Sequence, residues 1–179
     1  MAITQKAKCV SNLHAIGAAF LLYAGEHDQL PPDDGTEIGC TAPSLWRYNG
    51  KMVNLGLLFE YVGEKRQVYY RQYTPDLFMC PADRKNPDPN PGSTTSYWPN
   101  WGITTRPERK MHLGSLSANT IAVLDGGYWW EADPPADYNH YHGGGGFNAL
   151  FIDGRVAWVD KEKTAGCAPW DWNELIDLK

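Results

Sequence analysis

HGGGGFNALFIDGRVAWV, residues His142 to Val159, sets four glycines ahead of an apolar run, an Asp-Gly pair and a second apolar run. Asp-Gly between alternating hydrophobics is the strongest short-range hairpin signal, because a two-residue type I′ turn needs positive φ at both central positions. With Asp153-Gly154 at the turn, Ile152 is expected to pair with Arg155, Phe151 with Val156, Leu150 with Ala157 and Ala149 with Trp158. Phe147, Phe151, Val156 and Trp158 then share one face, expected to be buried. Asn148, Leu150 and Ile152 with Arg155 and Ala157 form a face that is at most half covered. The hairpin commits this end of the chain to an antiparallel sheet.

Upstream, Thr120–Gly126 reads as a buried strand running into a turn, and Ser96–Trp101 as an extended segment that Pro99 restricts to an edge. Asp76–Pro81 reads as a short extended piece. Asn54–Gly63 suggests a short helix with Asn54 as N-cap and Gly63 as the residue that ends it. Residues 28–53 and 83–95 are punctuated by Pro, Gly, Asn and Asp and read as loops, as does the aromatic stretch Trp129–Tyr141. One long helical pattern remains, near the amino end. Val10, Leu13, Ile16, Gly17, Phe20 and Leu21 recur at three- and four-residue spacing, Thr4 is the only available cap, and Gly25 offers a stop. These elements give one α+β domain over residues 1–179. Its helix covers 4–25, a loop-rich middle 26–119, a sheet with its hairpin 120–160 and a tail 161–179.

Composition narrows the function. A net charge of −5, with Lys and Arg scattered, leaves no basic stripe for phosphates and argues against a nucleic-acid partner. No run approaches the roughly 18 apolar residues of a membrane span, and the first residues do not read as a secretory signal. Thirteen Pro and eighteen Gly point to long irregular connections. Cys9, Cys40, Cys80 and Cys167 show no C-x-x-C spacing, so a structural zinc site is not expected. Their even number fits two disulfides, and three pairings are open.

Each candidate for chemistry has a plainer rival. His140 and His142, two apart in an extended segment, point the same way and with Asp125 and Asp153 are candidates for a metal site. Turn chemistry already explains Asp153, and a His beside glycines needs only a hydrogen bond. Gly143–Gly146 lacks the Lys-Ser/Thr and following helix of a phosphate loop, so these glycines are expected to admit a close backbone approach or positive φ. No serine elbow exists, and no His stands at an informative spacing from any Cys. Trp98, Trp101, Trp129, Trp130, Tyr138 and Tyr141 are candidates for stacking sugars, against the simpler role of packing loops onto the sheet.

Lys8-Cys9-Val10-Ser11-Asn12-Leu13-His14-Ala15-Ile16-Gly17-Ala18-Ala19-Phe20-Leu21-Leu22-Tyr23-Ala24, followed by the acidic turn Glu26-His27-Asp28 and Pro31-Pro32, resembles a segment of bacterial pseudopilin-like proteins. There it follows the membrane helix. Phe78-Met79-Cys80-Pro81-Ala82-Asp83 is similar to the group's F-x-C-P-x-D, Ser96-Tyr97 to its S-Y segment, and His142…Asp153-Gly154 to its His-(nine residues)-Asp-Gly signature. Ten residues separate His142 from Asp153, one more than the signature has.

The resemblance implies a pilin-like fold, with a long helix packed on an antiparallel sheet through Val10, Leu13, Ile16 and Phe20. It implies a non-enzymatic structural subunit of a secretion or pilus-type assembly, extracytoplasmic and anchored in the inner membrane in its full-length form. Its partners would be other pilin-like subunits, met through the amino-terminal helix. Residues 1–3 are then expected to replace a membrane segment. His142, Asp153 and Gly154 would be structural, and no cofactor is expected apart from calcium, for which Asp125, Glu131, Asp133 and Asp137 offer oxygen ligands. Two rival functions are a glycan-binding module and a metal-dependent enzyme around His140, His142 and Asp153.

Overall fold

The computed structural model describes residues 2–31, 54–63, 74–82, 95–100, 112–125, 142 and 145–160. Helix α1 spans Ala2–His27. Among the described residues four strands follow, β1 (Tyr97–Pro99), β2 (Ile121–Asp125), β3 (Gly146–Phe151) and β4 (Val156–Asp160), forming one antiparallel sheet in the order β1-β2-β3-β4. The architecture is α+β. Among the described residues no helix is long and apolar enough to cross a membrane.

Helix α1 lies against the sheet through Cys9, Leu13, Ile16, Phe20 and Tyr23, which share one core with Leu55, Leu58, Phe78, Tyr97, Val123 and Leu150. The buried stripe is rotated from the one expected. Val10 is half-buried and Leu21 is exposed, while Cys9, Asn12 and Tyr23 face inward. Two anchors set this rotation. Cys9 is bonded to Cys80, and the Asn12 Nδ2 donates to the carbonyls of Asp76 and Met79 at 3.4 and 3.1 Å. Gly17 faces Leu150 so closely that a Cβ there would meet its Cδ1 at 2.6 Å, which lets helix and sheet approach.

The helix boundaries also differ from the expectation. Thr4 lies inside α1 rather than capping it, and the helix passes through Gly25 to His27. Asp28, at φ 51°, takes the left-handed position that follows the last turn. In the middle of the chain, Asn54–Leu58 and Glu60–Val62 are two 3₁₀ turns. Gly63 ends the second at φ 76°, as expected, with its N–H donating to the Glu60 carbonyl. Asn54 does not act as a cap: its Oδ1 is buried and has no hydrogen-bond partner among the described residues. Asp76–Phe78 is another 3₁₀ turn rather than an extended piece.

The hairpin stands where the Asp-Gly pair placed it, but one residue out of the expected register. Leu150 pairs with Val156, Ala149 with Ala157 and Asn148 with Trp158. The Phe151 N–H donates to the Arg155 carbonyl at 2.8 Å and the Gly154 N–H to the Phe151 carbonyl at 2.9 Å, so the loop has three residues. Gly154 alone has positive φ, 85°, and the Asp153 Oδ1 accepts from the Arg155 N–H. This is a turn closed by a left-handed glycine, not a type I′ turn with two such residues.

A slip of one residue exchanges faces. Val156 therefore packs against the helix-side core, and Trp158 lies on the same face as Leu150 and Asn148. Phe147, Ala149, Phe151 and Val159 form a second cluster on the other face with Ile121 and Leu124. Both faces of β2 and β3 are buried, where a half-covered face had been expected. Gly154→Ala is expected to cost about 1–2 kcal/mol, because it forces a Cβ into left-handed backbone. Denaturant titration reads this as a lower midpoint with unchanged slope.

Candidate functional site

Four elements deliver polar or reactive side chains to one place beneath α1. The helix supplies Cys9, which forms a disulfide with Cys80 from the segment after the Asp76–Phe78 turn; the Cα atoms are 5.3 Å apart. Strand β2 ends on Asp125, and His142 precedes β3. Its Nε2 lies 2.9 Å from the Asp125 Oδ2 and 3.7 Å from the Cys80 Sγ. Asn148, beside Asp125 on the neighbouring strand, donates its backbone N–H to Oδ1 and its Nδ2 to Oδ2, each at 2.6 Å. The Asp125 carboxylate thus takes three hydrogen bonds, which meets the requirement for burying a charge.

The site is closed. The side chains of Asp125 and His142 are 0% and 4% exposed, and Cys9 and Cys80 are 0% and 2% exposed. Trp158 meets the His142 ring edge-on at 6.3 Å, and Lys6 of α1 lies over the Trp158 ring at 3.4 Å, covering this side. Tyr97 pairs with Asp125 across β1 and β2, and its side chain is fully buried. Burial pushes its ionisation above the usual tyrosine range, with the Asn12 side chain opposing and the Asp125 charge adding. Its hydroxyl, like the Asn12 Oδ1, has no hydrogen-bond partner among the described residues.

The arrangement holds four elements together and encloses a carboxylate–imidazole pair beside two sulfurs. Cys9, Cys80, Asp125 and His142 bring their potential ligand atoms within 4.8 Å of one another.

The candidate residues separate accordingly. Of the three disulfide pairings open to the sequence, two lack Cys9 with Cys80; Cys40 and Cys167 lie outside the described residues. His142 joins Asp125, not Asp153. Strand β3 stands between His142 and the turn, a separation of about 20 Å along the strand. Asp153 is exposed and bound to Arg155 through N–H and Nε at 3.0 and 3.4 Å. The expected metal constellation therefore does not form with Asp153 in it. Asp153 and Gly154 act in the turn.

Leu13, Ile16 and Phe20 are buried in the helix–sheet core as expected. Trp98 is half-buried against the Ile121–Phe147 cluster. His140, Glu131, Asp133 and Asp137 lie outside the described residues, as do Trp101, Trp129, Trp130, Tyr138 and Tyr141. Sequence reasoning missed Asn148, Asn12 and Tyr97, and missed the approach of a His to Cys80. One signal was present: Asn148 is the polar residue in an otherwise apolar strand. Gly146 shows why a glycine leads into β3, since a Cβ there would run into the Val159 carbonyl and the Trp158 ring. No protein-family model, curated protein or solved structure matches this chain.

Proposed function

We propose that this chain is the extracytoplasmic domain of a pilin-like structural subunit, of the pseudopilin kind, which works by assembly rather than catalysis. The observation that carries this reading is the convergence of the resembling motifs. Cys9 and Asn12 of the helix segment, Cys80 of F-x-C-P-x-D, Tyr97 of the S-Y segment and His142 of the carboxy-terminal signature belong to one buried neighbourhood. Residues spread over most of the sequence thereby have a common task, fastening α1 to the sheet. The disulfide fits an oxidising compartment.

The other face of α1 suits contact between subunits. Ile3, Leu22 and Leu21 are 87%, 56% and 36% exposed, and Ala7, Ser11, Ala15 and Ala18 lie on the exposed side as small residues that permit close approach. In the full-length protein an apolar segment ahead of this helix would anchor it in the inner membrane. The test is in-cell crosslinking of the product of the complete natural gene, with single cysteines at Ala7, Ala18 or Leu22 and a control at Asn119. Covalent ladders from the helix positions and none from Asn119 support the reading. Monomer at every position, or a gene without an apolar helix ahead of residue 4, overturns it.

A further inference from the structure

We propose that the Cys9–Cys80 disulfide is the oxidised form of a metal site: once reduced, Cys9, Cys80, His142 and Asp125 bind one thiophilic divalent cation, with zinc the best fit. The inference is independent of how subunits assemble. It begins from an excess of chemistry around a simple crosslink. A disulfide is apolar and packs well against hydrocarbon, and nothing about it calls for a buried carboxylate and imidazole at its side. Desolvating such a pair is costly, and Asn148 contributes two hydrogen bonds to offset it. Here His142 aims a single nitrogen at both the Cys80 sulfur and the Asp125 Oδ2.

The dimensions suit a four-coordinate ion. Zinc with Zn–S of about 2.3 Å and Zn–N or Zn–O of about 2.0–2.1 Å spaces its ligands by about 3.3–3.8 Å. The four donors already lie within 4.8 Å of one another, so shifts of about an ångström form the shell, with the His142–Asp125 pair opening slightly from 2.9 Å and the two sulfurs separating. Two thiolates, one imidazole and one carboxylate select zinc over calcium, which takes six to eight oxygen ligands. Four protein ligands with no open position make a structural site, not a catalytic one.

The surroundings are also those of a metal site. Asn148 orients the carboxylate with two hydrogen bonds, as outer-sphere partners of metal ligands do. Tyr97, opposite Asp125 on the neighbouring strand and fully buried, closes the neighbourhood from the β1 side.

The chemistry balances with a dithiol as reductant. It gives two electrons and two protons to the Cys9–Cys80 bond, which opens to two thiols while the reductant closes to its own disulfide. The entering M²⁺ takes the two sulfurs as thiolates, and their two protons go to solvent. His142 ligates through Nε2, and the proton that this nitrogen donated to Asp125 passes to Nδ1 or to solvent.

The test uses the full chain with Cys40→Ser and Cys167→Ser, so that only this pair supplies sulfur. The protein is reduced with dithiothreitol, desalted without oxygen and titrated with Co²⁺. The expected result is one cobalt per chain, with the visible bands of a tetrahedral ion and a sulfur-to-cobalt charge-transfer band. Both should be absent from the oxidised protein and abolished by Zn²⁺. His142→Gln is expected to weaken cobalt binding by about 10-fold or more, since even outer-sphere changes reach that size. Circular dichroism of the reduced protein, with and without Zn²⁺, covers the case in which it unfolds; refolding on zinc supports the site. No one-to-one complex after reduction, equal binding by the oxidised protein, or a spectrum and affinity unchanged by His142→Gln overturns the proposal.

Discussion

Replacing Cys9 and Cys80 together by alanine is expected to lower the unfolding free energy by about 4 kcal/mol. The bond joins positions 71 residues apart, and the loop-entropy relation gives a value of this size for such a closure. It also pins α1 to the segment after Asp76, where the Asn12 side chain holds two carbonyls. A loss of 4 kcal/mol is a large share of the stability of a typical domain. Guanidinium titration followed by tryptophan fluorescence measures it, with the reduced, chelator-treated natural chain expected to fall to the same midpoint. A double variant within about 1 kcal/mol of the natural protein would show that the crosslink contributes little. Zinc should restore the reduced natural chain and leave the alanine pair unchanged.

Asp125→Asn is expected to destabilise the fold by about 1–3 kcal/mol, although it changes the size of the side chain very little. The carboxylate accepts from His142 Nε2, Asn148 N–H and Asn148 Nδ2. An amide keeps one acceptor oxygen and turns its own NH₂ toward former donors, so the Asn148 amide must flip and His142 change tautomer, or a buried donor faces a donor. Urea unfolding of Asp125→Asn, His142→Gln and the double variant forms a cycle. The two changes should be strongly non-additive, because each removes the same pair. Strict additivity would mean that His142 and Asp125 do not act together.

Much of the architecture is legible along the chain. The helix was marked by apolar spacing, β2 by a run of buried β-formers, β1 by a proline that restricts it to the sheet edge, and the hairpin by Asp153-Gly154. The register was not legible. A turn with positive φ at both central residues and a turn with one left-handed glycine both suit Asp-Gly. The choice falls to the latter because the Asp153 carboxylate accepts the Arg155 N–H while Gly154 takes the left-handed position. That one-residue difference places Trp158 on the Leu150–Asn148 face, where it meets His142.

The candidate site was legible only in fragments. His142 stands out beside its glycines and Asp125 at the end of a strand, and both belong to the candidate group with His140 and Asp153, but Asp153 does not join them. An extended strand separates its ends, whereas the neighbouring strand brings Asp125 alongside. The cysteines were known as four residues with three possible pairings.

The sequence by itself determined the α+β order, the buried strands, the helix and the position of the turn. These follow from local periodicity and backbone preference, which neighbouring residues carry. Only the tertiary structure decided that Cys9, Cys80, Asp125 and His142 meet. Their contacts span 17 to 71 positions and depend on strand register and on the rotation of α1. Packing of the whole core sets both, and no local stretch encodes them.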